Sequence, residues 1–478
     1  MSQVGFWARV NRLFDLAGRQ TGIYLVFLGL GLCRACLGWA LSLTRVAEPL
    51  AGLPLTAHQV VDLGEILGFV VVALMSTRRS PVVSETPCLP VACASLLAGL
   101  AGMGAGLALG CAPLLYASGL FAGAGYGALF LLWMELYGCL TAKSMTFAYA
   151  ASYLVSVVAW LTMAGSSGTV GAVVACLGAL TCGVSLVSAH RRLAVGSPAG
   201  SPSGSSASPS SPAGPREAAS FSGVSVRLIV WLGVFAFGYG LGDSITATGY
   251  ATLVSKLGMA VPAALVVAAA LFMRSFDLTV LYRISSVFML AGLAIAFFVS
   301  GAPAVSQVLM SAANEAYCLL GMVVACSSCH RTGRNAALYC GMVSLVTLVF
   351  TQVGEAVGTA LLPMGSRFAL DVVAVVAVAL ATVFLFQERH FSEQISLRDV
   401  GKTTTEEDLL ALARERGLST REQGVFLLMV RGESTAAIGE GLFISPSAVR
   451  SHATNIYRKF GVHSRQEFDE LIASEQRL

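Results

Sequence analysis

The chain has 478 residues, of which 56% are hydrophobic and 12% charged, with a formal net charge of +4 at pH 7. Soluble domains carry about 25% charged residues, so this composition argues against an ordinary soluble enzyme. The apolar residues fall in long runs, and a bilayer crossing needs roughly 20 of them in a row.

Residues 1–20 form a polar N-terminus with Arg9, Arg12 and Arg19. The first apolar run, 21–43, is too long for a cleavable signal and is followed by others. Six runs fill residues 21–190: 21–43, 60–76, 89–109, 113–137, 145–164 and 169–189. Cys33-Arg-Ala-Cys36 has CxxC spacing but lies inside the first run, which argues against a redox role. Residues 191–224 read as a linker, because 197–215 contain only Ser, Pro, Gly and Ala. Six further runs fill residues 225–386: 228–247, 257–273, 284–300, 305–325, 336–361 and 368–386. The eighth and ninth are the weakest, being short and flanked by Lys256, Arg274 and Arg283.

Lys and Arg set the expected orientation. With both termini cytoplasmic, the inner segments hold Arg78, Arg79, Lys143, Arg191, Arg192, Arg331 and Arg334 among others, and the outer ones only Arg45, Lys256 and Arg367. The expected location is a bacterial cytoplasmic membrane. Cys326-Ser-Ser-Cys329-His330 matches the spacing of covalent haem attachment. It falls on the cytoplasmic side, so a helix end with small residues is the better reading. No cofactor is implied.

Six charged residues fall in or near apolar runs: Arg34, Glu65, Glu135, Asp243, Glu315 and Glu355. Charge in a bilayer is costly and usually faces a partner or a cavity. These six are therefore the candidate lining of a ligand cavity, with ion-paired helix packing as the alternative. Gly123, Gly125 and Gly127 would permit close helix packing.

A polar connector, 387–413, follows the last run, and 406–416 read as a short amphipathic helix. From 414 the pattern is that of a soluble helical module. Leu418, Val425, Leu428 and Met429 recur at helical spacing, Thr420 with Gln423 resembles a capping box, and Gly432 is placed to stop the helix. A second helix is expected over 435–442. Ser445 then caps a third that opens with Pro446 and runs to Phe460. Val449, Ala453, Ile456 and Phe460 share one face of it, and Arg450, Ser451 and Thr454 another. Residues 402–478 hold 10 Lys/Arg and 11 Asp/Glu, yet 441–466 hold no acid and include Arg450, Arg458, Lys459 and Arg465. The positive charge lies where phosphates would meet a reading helix.

Residues 415–478 resemble the LuxR-type helix-turn-helix family, through Leu418, Arg421, Glu422, Ile438, Leu442, Ile444, Ser445, Val449, His452, Asn455, Ile456, Tyr457, Lys459, Gly461, Val462, Ser464 and Arg465. The resemblance implies a four-helix domain that pairs through its last helix, about 464–473. It implies base contacts from Arg450, Ser451 and Thr454. Ser445, Ser447, Asn455, Arg458 and Lys459 would lie near phosphates, and Glu422, Ile438, Leu442, Val449, Ile456 and Gly461 would hold the fold. Ala448 stands where threonine is usual, and Gly424, Gly439 and Gly441 where helix formers are usual. Six runs, a long central loop and six more runs resemble the major facilitator transporter architecture, although its charged signature loop is reduced to Arg78-Arg79.

The expected fold class is thus all-α: a polytopic 12-helix membrane bundle in a 6+6 pseudo-repeat, joined to a C-terminal LuxR-type module. The leading functional reading is a membrane-bound one-component transcriptional regulator. Its partners would be promoter DNA, membrane lipid, an unidentified small-molecule ligand, a second copy of the module and RNA polymerase. The alternatives are a transporter carrying a regulatory module, and a transporter-like scaffold whose module binds protein.

Overall fold

The computed structural model divides the chain into two compact units, Met1–Ile395 and Ser396–Leu478. It describes residues 27–44, 55–196, 226–361 and 406–471, less a few residues at turns and near the C-terminal end. No strand occurs among the described residues.

The first unit contains α1 (Gly29–Thr44), α2 (Ala57–Ser76), the short α3 (Val82–Glu85), α4 (Cys88–Ala108), α5 (Ala112–Tyr137), α6 (Ala142–Ala164) and α7 (Gly168–Gly196). After 197–225 come α8 (Val226–Thr246), α9 (Ala251–Phe272), α10 (Leu278–Phe298), α11 (Pro303–Thr332) and α12 (Ala336–Leu361). The described parts of the first eleven predicted runs each overlap one helix; the twelfth, 368–386, lies outside the described residues. Seven of these helices are long and apolar enough to cross a membrane, and four others carry shorter apolar segments.

Helix ends depart from the hydropathy runs where capping chemistry decides. α2 starts before residue 60 because Thr56 and Gln59 form a capping box, with bonds of 3.2 and 2.9 Å. α7 continues to Gly196, past the expected start of the linker at 191. α9 begins at Ala251, so Lys256 lies within a helix and is 8% exposed. It is not the outer-loop charge that the sequence implied.

Polarity is inverted across this unit. Val170, Val173, Leu177, Leu180 and Val184 form a stripe along α7, each about half exposed or more. Ser152, Ser285, Ser306 and Gln307 are buried at 1% exposure or less. In water such an apolar exterior would drive association, whereas hydrocarbon tolerates it. This is a polytopic membrane protein.

The two halves repeat each other's packing. α2 lies on α5 as α9 lies on α11; α4 lies on α5 as α10 lies on α11; α1 lies on α6 as α8 lies on α12. The halves meet through α2 with α12 and through α6 with α9, two interfaces that exchange under the same correspondence. Small residues let the backbones approach. A Cβ at Gly64 or Gly68 of α2 would strike the backbone of α5, and one at Gly123 or Gly127 of α5 would strike that of α2.

The second unit comprises α13 (Glu406–Glu415), α14 (Thr420–Val430), α15 (Thr435–Leu442) and α16 (Pro446–Phe460). Its core joins Leu409 and Ala413 to Val425, Phe426, Ile438, Val449, Ile456 and Phe468. The module therefore reaches back to α13, ahead of residue 414.

A Gly123→Val variant must push α5 off α2, because its first added carbon already collides with the Val61 carbonyl. We expect a loss of roughly 1–3 kcal/mol or more, as for other overpacked interiors. Thermal unfolding of the detergent-solubilised protein measures it, and an unchanged melting temperature would count against this helix contact.

Candidate functional site

The first unit encloses a cavity of about 320 Å³ between its halves. It runs from the middle of the bundle toward the end where α2, α9 and α11 begin. Arg34, Glu65, Asp243, Glu315 and Glu355 all line it. Arg34 is held as a charge in an apolar helix must be. Its guanidinium lies 3.6 Å from the Tyr153 ring centre and 4.3 Å from that of Tyr149, and it donates to Ser152 Oγ at 2.9 Å. Glu315 of the other half lies in the same cluster with Lys256 and Tyr153.

Sequence reasoning missed several lining groups. Asp62 accepts from Gln352 Nε2 at 2.6 Å across the two halves and lies 3.5 Å from His58 Nε2. Gln307 donates to Asp243. The signal for Asp62 was present, one turn ahead of Glu65 in the same run. That for Tyr149 and Tyr153 was their spacing of four, which puts both rings on one face of α6. Gln307 and Gln352 carried no signal, since neither helical spacing nor charge marks them.

Glu135 is a correction. It does not line the cavity. It stands at the opposite end of the bundle, where α5 finishes, and accepts from the Val82 amide at 2.9 Å and the Val83 amide at 3.2 Å, capping α3. It also accepts from Asn335 Nδ2 at 2.9 Å, while Asn335 Oδ1 accepts from the Ala337 amide at 2.8 Å and so starts α12. The carboxylate satisfies orphan amides from one half and a side chain from the other. Around it the halves touch closely: a Cβ on Gly138 would lie 2.6 Å from Ala336, and one on Gly341 3.1 Å from Leu131.

In the second unit Ser445 caps α16, accepting from the Ala448 amide at 3.2 Å, and Pro446 takes the first turn. Gly461 ends the helix at φ 70°, in the left-handed region that glycine adopts freely. Val449, Ile456 and Phe460 are buried, and Phe460 stacks on Phe426 at 5.3 Å, a core ring absent from the predicted set. Arg450, Ser451 and Thr454 are exposed on the other face, with Ser445, Ser447 and Arg458 also at the surface. Asn455 accepts from Arg458 at 3.3 Å. Residues 464–471 are described only in part; Phe468 docks in the core against Phe426 and Phe460.

Three local expectations change. The capping residue of α14 is Ser419 rather than Thr420: its amide donates to Glu422 Oε2 at 2.8 Å, and its hydroxyl accepts from the Glu422 amide at 3.4 Å. Both registers fit the motif, but only this one places Glu422 inside, 5% exposed, where Lys459 reaches it. Lys459 Nζ is accordingly bonded to Glu422 at 2.7 Å and to the Gly417 carbonyl at 2.9 Å, not left free for a phosphate. Gly439 is required by geometry, since a Cβ there would lie 2.8 Å from the Ile444 carbonyl. Gly424 has ordinary room, its added carbon meeting only Leu442 at 3.6 Å.

Two helices joined by a tight turn, the second exposing an arginine-bearing face above a shared core, define a helix-turn-helix module. Residues 416–469 match the family described as "Bacterial regulatory proteins, luxR family". Over 50 residues the chain is 42% identical to the spore germination protein GerE of Bacillus subtilis (strain 168), covering 10% of this chain and 68% of that protein. Through this module the chain belongs to the LuxR family of bacterial regulatory proteins.

The chain is also similar to three solved transporters. They are the fucose:proton symporter FucP of E. coli (12% identity, TM-score 0.47, 77% of this chain and 98% of that one), the proton:xylose symporter XylE (13%, 0.49, 81% and 96%) and the human organic anion transporter TETRAN (14%, 0.47, 76% and 98%). The internal repeat rests instead on the helix contacts, which relate α1, α2, α4, α5 and α6 to α8–α12 among the described residues.

Two outcomes are expected for a fragment spanning 396–478. Lys459 first, then the Ser419 amide, hold the Glu422 carboxyl down at about 2 from an ordinary 4.5. A depressed acid stabilises the fold fully above its unfolded value and loses that contribution as pH falls toward the folded one. Stability should thus decline between about pH 4.5 and 2, and Glu422→Gln should flatten that part of the profile in chemical denaturation. Gly424→Ala should raise stability by about 1 kcal/mol, the helix-propensity difference; a loss would mean that the helix needs the glycine.

Proposed function

We propose that this chain is a one-component transcriptional regulator of a bacterial cytoplasmic membrane, with both termini in the cytoplasm. Its bundle takes a ligand into the central cavity, and its C-terminal module binds promoter DNA as a pair. The observation that carries this reading is the exposed Arg450, Ser451 and Thr454 face of α16, in a LuxR-family module on the same chain as a membrane bundle with a polar cavity. Arg450 has the fork that reads guanine in the major groove, and the shorter hydroxyls discriminate less. A ligand acts by preferring one arrangement of the two halves over another. RNA polymerase is a natural further partner of a promoter-bound module.

A second reading, a transporter with a regulatory module, has one observation in its favour. The halves pack closely around Glu135 while a cavity lies away from it, an asymmetry that an alternating-access carrier would have in one state. Saturable flux abolished by Glu315→Gln would favour it over a sensor.

Genome-wide crosslinking of the full-length protein in its membrane tests the leading reading. Discrete sites sharing an inverted repeat should appear and should vanish in Arg450→Ala, while membrane levels stay unchanged. Enrichment that survives in the variant would remove Arg450 from DNA reading.

A further inference from the structure

Hydrogen-bond donors gather at one turn of α1, and little there accepts from them. Arg34 and Gly38 stand four residues apart, so both lie on the face of α1 that lines the cavity. Arg34 is 6% exposed; among the described residues one of its N–H groups, on Nη1, has an acceptor, Ser152 Oγ. Lys256 comes from α9 in the other half and lines the cavity too. It is 8% exposed, and its ammonium makes no hydrogen bond or ion pair among the described residues. A Cβ on Gly38 would lie 2.8 Å from Lys256 Nζ and 3.2 Å from Trp160 Cδ1. The indole nitrogen next to that carbon is buried and also has no acceptor among the described residues.

Glu315 is close enough to act on both cations, but it forms a direct ion pair with neither. The two cations act on each other as well, like charges brought together from facing halves. The glycine at 38 is what makes room for the Lys256 tip one turn from Arg34. A buried donor without an acceptor is costly, a charged one most of all. The place beside Gly38 is therefore complementary to a guest that brings a negatively charged acceptor.

We propose that the ligand is an organic carboxylate, its carboxylate seated against Gly38 and bonded by Arg34 of one half and Lys256 of the other. Tyr126 and Phe130 line the same cavity and supply faces for its apolar body. Without a ligand the two cations repel across the division between the halves; a carboxylate between them turns the repulsion into a bridge and favours a closed arrangement. This inference rests on the sensor reading and gives it a ligand class.

The test uses the full-length protein in lipid nanodiscs, with thermal unfolding as the readout and no DNA present. The probes are 3-phenylpropanoate, hexanoate and palmitate, with 3-phenylpropanamide and 2-phenylethylammonium as the neutral and cationic counterparts. An acid should raise the melting temperature saturably, and the amide and the amine should not. A response to the short acids marks a dissolved ligand, and a response to palmitate alone marks a membrane fatty acid. Lys256→Met should weaken the apparent affinity about tenfold or more, the value of one hydrogen bond to a charged group. It should not lower the melting temperature of the unliganded protein, since it removes a buried charge. Gly38→Ala should weaken binding too, because its added carbon displaces the flexible lysine tip. Three results would overturn the proposal: the amide or the amine stabilising as well as the acids, no shift with any acid in a protein that unfolds cooperatively, or full affinity in Lys256→Met. Each leaves promoter occupancy untouched, so failure of the ligand class and failure of the regulator reading are told apart.

Discussion

An ionised guanidinium in the middle of an apolar helix is the constraint around which the membrane unit is arranged. Arg34 cannot be left to hydrocarbon, and α1 alone cannot satisfy it. Two tyrosines one turn apart on α6 and the hydroxyl of Ser152 enclose it, and Glu315 comes from the other half. α1 and α6 are thereby held together, and Gly31 of α1 permits the approach, since a Cβ there would lie 2.8 Å from Val155. Polar groups collect around the cavity and apolar ones face outward.

The same economy governs the second unit on a smaller scale. Glu422 is inside a helical core and is tolerated because Ser419 and Lys459 satisfy it. That pair fastens the start of α14 to the end of α16, so the two helices are fixed to one another by one ion pair with a buried carboxylate as well as by Phe426 on Phe460. The exposed face of α16 is thus presented by a rigid support, with Ser445 and Gly461 fixing its two ends.

Much of this was legible in the sequence because it depends on neighbours. Apolar run length gave the positions of eleven apolar helices, seven of them long and apolar enough to cross a membrane, and Ser445 and Pro446 marked the start of α16 by local capping chemistry. What was not legible depends on residues far apart. Glu135 looked like a cavity acid, yet its partners are amides 52 and 53 positions earlier and a side chain 200 positions later. Lys459 looked like a phosphate contact until Glu422, 37 positions away, proved to be its partner. Asp62 stands close to the start of its run, and its partner Gln352 is 290 positions away. The choice between Thr420 and Ser419 as cap could not be made from a motif that both satisfy.

The inward turn of Lys459 has a bearing on ionic strength. Each phosphate neutralised by a protein cation releases counterions, and the logarithm of affinity falls by about 0.9 per contact against the logarithm of salt. Arg465 is also turned inward, donating to the Met429 carbonyl, which leaves Arg450 and Arg458 as the exposed cations of α16 and its end. Two exposed arginines among its described residues give α16 itself few contacts of the kind that release counterions. If this face meets DNA as proposed, the salt dependence contributed by α16 would be shallow, and any steeper dependence would have to come from cations elsewhere on the module.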